Sequence, residues 1–239
     1  MEQFIRSEML LGRQAMERLW KAHVAVVGVG GVGGFAVEAL VRAGVGEMTI
    51  VDDDKVALSN LNRQICALHS TLGRFKVDVM AERALDINPR VKIHPRVLRY
   101  SAETRDEFFN ASYDYIVDAI DIVSCKLDLI ITARERNIPI ISALGAGNRL
   151  DPGLLQVADI SKTVGCPLAK VVRKELRDRG IRHHKVVYSP EPVLKPLPIE
   201  EPPPGRRSIP GSVSWVPGAA GLMLAGEVIK NIVGINKEK

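Results

Sequence analysis

Cysteine is scarce in this chain. Its three thiols, Cys66, Cys125 and Cys166, are widely spaced and odd in number, so no disulfide framework is implied. No C-x-x-C pair occurs, which excludes a four-cysteine zinc site by count. Long apolar runs are missing too: none reaches the ~18 residues of a membrane-spanning helix. The first residues, MEQFIRSEML, lack the basic start, apolar stretch and small-residue cleavage site of a secretory signal. These absences lead us to expect a cytoplasmic protein with reduced thiols and no transmembrane segment. One-sided charge is weak as well. An excess of 33 basic over 28 acidic residues gives +5, a lean towards polyanionic partners that means little until the charges are placed. No internal repeat is present.

What the chain does have is apolar content in alternating patterns. With 239 residues, 46% of them hydrophobic, it can bury the core of one large domain. Strands are expected over residues 23–27, 47–52, 91–97, 113–119, 138–142 and 154–160. Helical spacing marks 33–43, 72–87 and 124–136. Such alternation predicts a Rossmann-like α/β fold: a doubly wound, mostly parallel sheet with helices on both faces. Pro167 suits a first helical turn and Gly180 a C-terminal cap, so 167–179 is a further helix. Residues 189–211 contain eight prolines and are expected to be irregular and mobile. A short strand after residue 211 and a helix from about Gly218 should follow. That last helix is apolar almost all round, as a core or interface helix is.

The stretch HVAVVGVGGVGGFAVEAL, residues 23–40, carries the strongest local signal. Gly28, Gly30 and Gly33 satisfy G-x-G-x-x-G directly after a strand and at a helix start. Glycines there permit a tight turn and bring a phosphate to free N–H groups at the helix N-terminus. Asp52 closes the second strand, where a carboxylate accepts from ribose hydroxyls. NAD and ATP fit these features equally. The next stretch separates them. Asn60, Arg63 and Lys76 follow the second strand, and hydride transfer needs no such cations. Nucleotidyl transfer does, because fixed cations must meet the charge that grows on departing pyrophosphate. The fourth strand runs into VDAID and adds Asp118 and Asp121 at the carboxyl edge of the sheet, where Asp121 could hold Mg²⁺.

The series GVGGVG, VDDD, SNLNRQ, GRFK, DAID resembles the ubiquitin-activating-enzyme-like adenylyltransferases, the ThiF/HesA/MoeB family. The resemblance spans residues 6 to about 160. It implies ATP and Mg²⁺ as cofactors, with a nucleotide set of Gly28, Gly30, Gly31, Gly33, Asp52, Asp54, Asn60, Arg63, Lys76 and Asp121. In that set Asp52 holds the ribose, Asn60, Arg63 and Lys76 hold the phosphates, and Asp121 is the magnesium-linked carboxylate. Arg6 matches an arginine that reaches into a neighbouring subunit's ATP site, which implies a homodimer with shared sites. Arg6, Arg63, Lys76 and Asp121 are therefore the expected catalytic residues. The chain is then one domain over 1–239, with a nucleotide core at 1–160 and a substrate-binding extension at 161–239.

Family members that activate sulfur carriers usually bind zinc through two C-x-x-C pairs, absent here. Cys66 reads as a packed side chain. Cys166 precedes Pro167 at a helix start, a position that lowers thiol pKa, and lies where thioester-forming relatives carry their cysteine; packing is its expected role. The C-terminal third, DPGLLQVADISKTVGCPLAKVVRKELRDRGIRHHKVVYS and PGSVSWVPGAAGLMLAGEVIKNI, resembles the tRNA threonylcarbamoyladenosine dehydratases. These adenylate the threonylcarbamoyl carboxylate on adenosine 37 of tRNA and close a ring with loss of AMP. In helix 167–179, Lys170, Arg173, Lys174 and Arg177 share one face opposite Leu168, Val171, Val172 and Leu176. Arg179, Arg182, His183, His184 and Lys185 extend the basic character. Such a stripe suits tRNA phosphates, although a solvated helix face or a site for an acidic carrier protein would look similar. The main alternative is activation of a ubiquitin-like or sulfur-carrier protein, with a sulfur-transfer protein as a further partner. An NAD oxidoreductase fits the glycine loop but leaves Arg63, Lys76 and Asp121 without a task.

Overall fold

A computed structural model of the protein describes residues 2–199 and 209–235. Two short helices, α1 (Ile5–Leu11) and α2 (Arg13–Lys21), come first. They are separated at Gly12, whose φ of 81° breaks the helical path. Then follow β1 (His23–Val27), α3 (Gly33–Ala43), β2 (Glu47–Val51), α4 (Lys76–Ile87) and β3 (Lys92–Arg96). The short α5 (Arg105–Phe108) leads to β4 (Tyr115–Asp118), α6 (Val123–Glu135) and β5 (Ile140–Leu144). The chain continues through β6 (Gln156–Asp159), α7 (Pro167–Asp178), β7 (Lys185–Tyr188) and α8 (Trp215–Val233).

Among the described residues seven strands form one sheet in the order β3-β2-β1-β4-β5-β7-β6. Every pairing is parallel except that of β6 with β7. Parallel strands need crossover helices, and helices on both faces bury the sheet from both sides. One apolar cluster joins α2, α3, α4 and α8 to one face through Met16, Leu40, Met80 and Leu224. The other joins α5, α6 and α7 to the opposite face through Phe108, Leu129, Ile130 and Leu176. The doubly wound architecture read from the sequence is the one observed.

Local readings differ in places. Residues 212–214 form no strand, and α8 starts at Trp215; Pro217 fits its first turn, where an N–H would have no intrahelical partner. The strand β7 was not expected, because four residues flanked by basic side chains carry too little period-2 signal. Of the proline-rich stretch, 189–199 and 209–211 contain no helix or strand, and 200–208 lie outside the described residues.

The last helix is also longer than any uninterrupted apolar run. By length and composition α8 could cross a membrane, yet half of that stretch is buried inside the fold. It lies against α3 through small residues: a Cβ at Gly221 would stand 2.3 Å from the Val32 carbonyl oxygen. This is the packing of a core helix.

Candidate active site

The strands β1 and β4 are neighbours whose following helices cover opposite faces, so a crevice opens beyond their carboxyl ends. The glycine loop enters that crevice. Gly28 has φ 89°, and a Cβ there would stand 2.7 Å from the Ala119 carbonyl oxygen. At Gly33 a Cβ would fall 1.7 Å from the Gly28 carbonyl oxygen. Only glycine lets the first turn of α3 close so tightly on β1. The result is a cleft of about 730 Å³ into which Gly28, Gly30 and Gly31 face.

The expected site residues converge on this cleft: Asp52, Asp54, Asn60, Arg63, Lys76 and Asp121 all line it. Asp52 does more than wait for a ligand. Its Oδ2 accepts from the Val29 N–H at 2.7 Å and its Oδ1 from the Asp54 N–H at 2.9 Å, so it also shapes the glycine loop. Burial pushes the Asp52 carboxyl up, against the pull of Lys76 and these two N–H groups. Lys76, the first residue of α4, is buried and donates to Asp54 Oδ2 at 2.6 Å, with Asp52 Oδ1 at 3.8 Å. Arg63 is steered by the Ser59 carbonyl at 2.7 Å and by Asn62 Oδ1 at 2.9 Å. Asn60 accepts from the Ala57 N–H at 3.1 Å, which fixes the turn that carries Arg63.

Asp118 departs from the sequence reading. It is fully buried beneath the cleft, ion-paired with Lys126 at 2.6 Å, and its Oδ1 accepts from the Ile120 N–H. It is a structural carboxylate that shapes the turn towards Asp121 and does not reach the site. Arg6 is exposed on α1 and does not line the cleft of its own chain. The reason is placement: Phe4 packs against Gly44, where α3 ends. The eleven residues of α3 put about 16 Å of helix between that end and the glycine loop.

The basic helix is only partly as expected. Lys170, Lys174 and Arg177 are exposed, but Arg173 turns inward and donates to the Thr163 carbonyl and hydroxyl oxygens, each at 2.6 Å. Val171 is exposed at 47% rather than packed, because α7 buries only the stripe Ala169, Val172 and Leu176. The basic extension is largely neutralised. Arg179 pairs with Glu175, His183 with Asp159 and Lys185 with Glu227. His184 is a core residue bonded to Ser142 Oγ at 2.7 Å; burial and the nearby Lys126 push its pKa down to about 3, so it carries no charge.

Neither Cys66 nor Cys166 faces the cleft as a nucleophile. Cys66 is buried, and burial pushes its thiol up. Cys166 is buried as the N-cap of α7, where its sulfur accepts from the Ala169 N–H at 3.5 Å. The sequence reading missed Arg99 and Tyr100 beyond β3, Gly145 and Gly147 beyond β5, Leu168 on α7 and Pro217 on α8, all of which line the cleft. The carboxyl ends of β3 and β5 could have pointed to the first four. Nothing local marks the last two.

The model of the ThiF family matches residues 4–239. The tRNA threonylcarbamoyladenosine dehydratase of Bacillus subtilis (strain 168) is 42% identical over 242 residues, covering 98% of this chain and 95% of that protein. That of Escherichia coli (strain K12) is 40% identical over 173 residues, 72% of this chain and 65% of the relative. The crystal structure of the E. coli tRNA N6-threonylcarbamoyladenosine dehydratase in complex with ATP shares this fold with a TM-score of 0.88 and 33% identity. It covers 98% of this chain and 95% of that one. On a likeness that extends over nearly the whole length of both chains, this protein belongs to the ThiF family and, within it, to the tRNA threonylcarbamoyladenosine dehydratases.

Proposed function

We propose that the protein is an ATP-dependent dehydratase acting on tRNA that carries threonylcarbamoyladenosine at position 37. The observation that carries this is the convergence of the glycine loop, Asp52, Arg63, Lys76 and Asp121 on one cleft at the switch point of the sheet. The glycine loop and Asp52 seat the nucleotide. Lys76 and Arg63 face the phosphates and meet the charge that develops on pyrophosphate as the substrate carboxylate attacks the α-phosphate. The product of that step is a mixed anhydride with AMP. Attack on its carbonyl from within the same threonylcarbamoyl group closes the ring and expels AMP. No enzyme nucleophile is required, in keeping with the burial of Cys66 and Cys166, and the intramolecular step gains from high effective molarity. Oxygen donors for Mg²⁺ are at hand in Asp121 and in the Asp52, Asp53, Asp54 group; the ion would neutralise phosphate charge.

The exposed Lys170, Lys174 and Arg177 of α7 are proposed to meet tRNA phosphates, since Leu168 in the first turn of the same helix lines the cleft. Arg6 is proposed to act on a partner subunit. It stands at the end of the sheet away from its own cleft, and the same helix exposes Met9 (80%) and Leu10 (87%), an apolar pair that an interface would cover. On this reading the protein is a cytoplasmic homodimer with each site shared.

The test is ATP–pyrophosphate exchange with modified tRNA and with carrier proteins, followed by mass analysis of the nucleoside. Loss of one water from the tRNA nucleoside is expected. Exchange driven only by a carrier protein would establish the sulfur-carrier alternative. Sharing is tested by mixing Arg6→Ala with Lys76→Ala protein, each inactive alone. Partial recovery on subunit exchange is expected, and none would place Arg6 outside the site.

A further inference from the structure

At the amino end of the sheet, remote from the cleft, two imidazoles and a carboxylate meet. His23 begins β1, Glu47 begins β2, and His94 lies in the middle of β3. His23 stands opposite Glu47 in the ladder, and His94 opposite Thr49. Side chains two residues apart share a face of a strand, so His23, Glu47, Thr49 and His94 all project from the same face. Glu47 Oε1 lies 2.9 Å from His94 Nε2 and 3.8 Å from His23 Nδ1, and one ligand atom from each residue falls within 4.8 Å of the others.

We propose that His23, Glu47 and His94 form a binding site for a divalent transition-metal ion, zinc foremost, separate from the nucleotide cleft. Zinc bonds of about 2.0–2.1 Å in a tetrahedral site set ligand atoms roughly 3.3 Å apart. The observed separations bracket that value, and half-exposed His94 is free to close the remainder.

The ring of His23 is already oriented. Its Nε2 meets Thr49 Oγ1 at 2.9 Å, and Tyr113 packs edge-on against it with centroids 4.9 Å apart. In the tautomer whose Nε2 donates to the threonine hydroxyl, the lone pair of Nδ1 faces Glu47, the arrangement an outer partner gives a metal-bound imidazole. Three protein ligands leave a fourth position open to water.

The β1 strand is five residues long, which sets the site about 13–17 Å from the glycine loop. A metal there would tie together the three strands β1, β2 and β3, whose carboxyl ends lead into the cleft.

The experiment is titration of the full-length protein with Zn²⁺ in excess Mg²⁺, read by competition with a chromophoric chelator and by the histidine ring resonances. Nitrogen ligands select zinc over magnesium, so the cleft carboxylates stay silent. One tight equivalent is expected, with the rings of His23 and His94 shifting and those of His69, His183 and His184 unmoved. His94→Ala should abolish that equivalent; it is an exposed position where folding is not at stake. Thr49→Val should weaken it by about 10–100-fold. Zinc binding equally tight in His94→Ala, or ring resonances of His23 and His94 that do not move with the first equivalent, would overturn the proposal.

Discussion

Two aspartate–lysine pairs lie within a few residues of the same cleft and have opposite tasks. Beneath the floor, Lys126 and Asp118 are both fully buried and locked at 2.6 Å. On the rim, Lys76 makes the same 2.6 Å contact with Asp54, whose side chain is 66% exposed. The chemistry of the pairs is identical; the surroundings are not. In the floor, neither charge can be satisfied by water, so each exists only because of the other. On the rim, solvent can take Asp54 whenever Lys76 turns to a phosphate. A lysine that can exchange its carboxylate for a ligand is a site residue, and one that cannot is a beam in the frame.

The largest effect should come from breaking the floor. Lys126→Met strands a buried carboxylate and is expected to cost about 3–5 kcal/mol in denaturant unfolding. Adding Asp118→Asn should return much of that loss, because the amide oxygen still accepts from the Ile120 N–H. If the single variant is as stable as wild type, the two pairs are not different in kind. Lys76→Ala should reverse the pattern, with a smaller loss of stability and a fall in pyrophosphate exchange of about 10²–10³-fold. A normal exchange rate would remove it from the reaction.

Asp52→Ala tests whether the rim carboxylates act through the ligand or through the loop. We expect ATP binding weaker by about 1.5–3 kcal/mol. Part of that loss belongs to the glycine loop, which Asp52 holds through Val29. Hydrogen exchange at Val29 that stays at the wild-type rate in the unliganded variant would assign the whole effect to the nucleotide.

His184 sharpens the same contrast through pH. Its folded pKa, about 3, lies below the ordinary value of 6.5, so the unfolded chain binds the extra proton. Stability should be fully present above about 6.5 and fall as pH drops towards 3, with a limiting slope near 1.4 kcal/mol per pH unit. His184→Asn should flatten the unfolding profile in that window relative to wild type.

The smallest effect concerns α7. Lys174→Glu should weaken tRNA binding and reduce its salt dependence, with ATP binding unchanged. Arg173→Ala should instead lower thermal stability, since Arg173 is bonded to Thr163. Equal losses of tRNA affinity in Lys174→Ala and Arg173→Ala would restore Arg173 to the binding face.

Much of the nucleotide half was legible because its signals are local. Glycine spacing, strand ends and helix caps act over a few residues, and Gly28, Gly33, Asp52 and Lys76 stand where their neighbours in the chain require. The short strand β7 and the start of α8 were not legible, since a four-residue strand and a proline-bearing first turn leave weak patterns. Thr163 and Arg173 are ten residues apart, beyond any helical repeat, so their bond could not be read either.

From the sequence alone came the alternation that builds a doubly wound sheet, the glycine loop that only a close phosphate or close packing explains, and the set of charges that favours adenylyl transfer. Those depend on backbone geometry and residue chemistry over short spans. Only the tertiary structure decided which of those charges meet water. It buried Asp118 and His184, turned Arg173 inward, set Arg6 at the far end of α3 from its own cleft and gathered His23, Glu47 and His94 from three strands. Burial and long-range pairing depend on what packs against a side chain from elsewhere in the fold, and no window of sequence contains that.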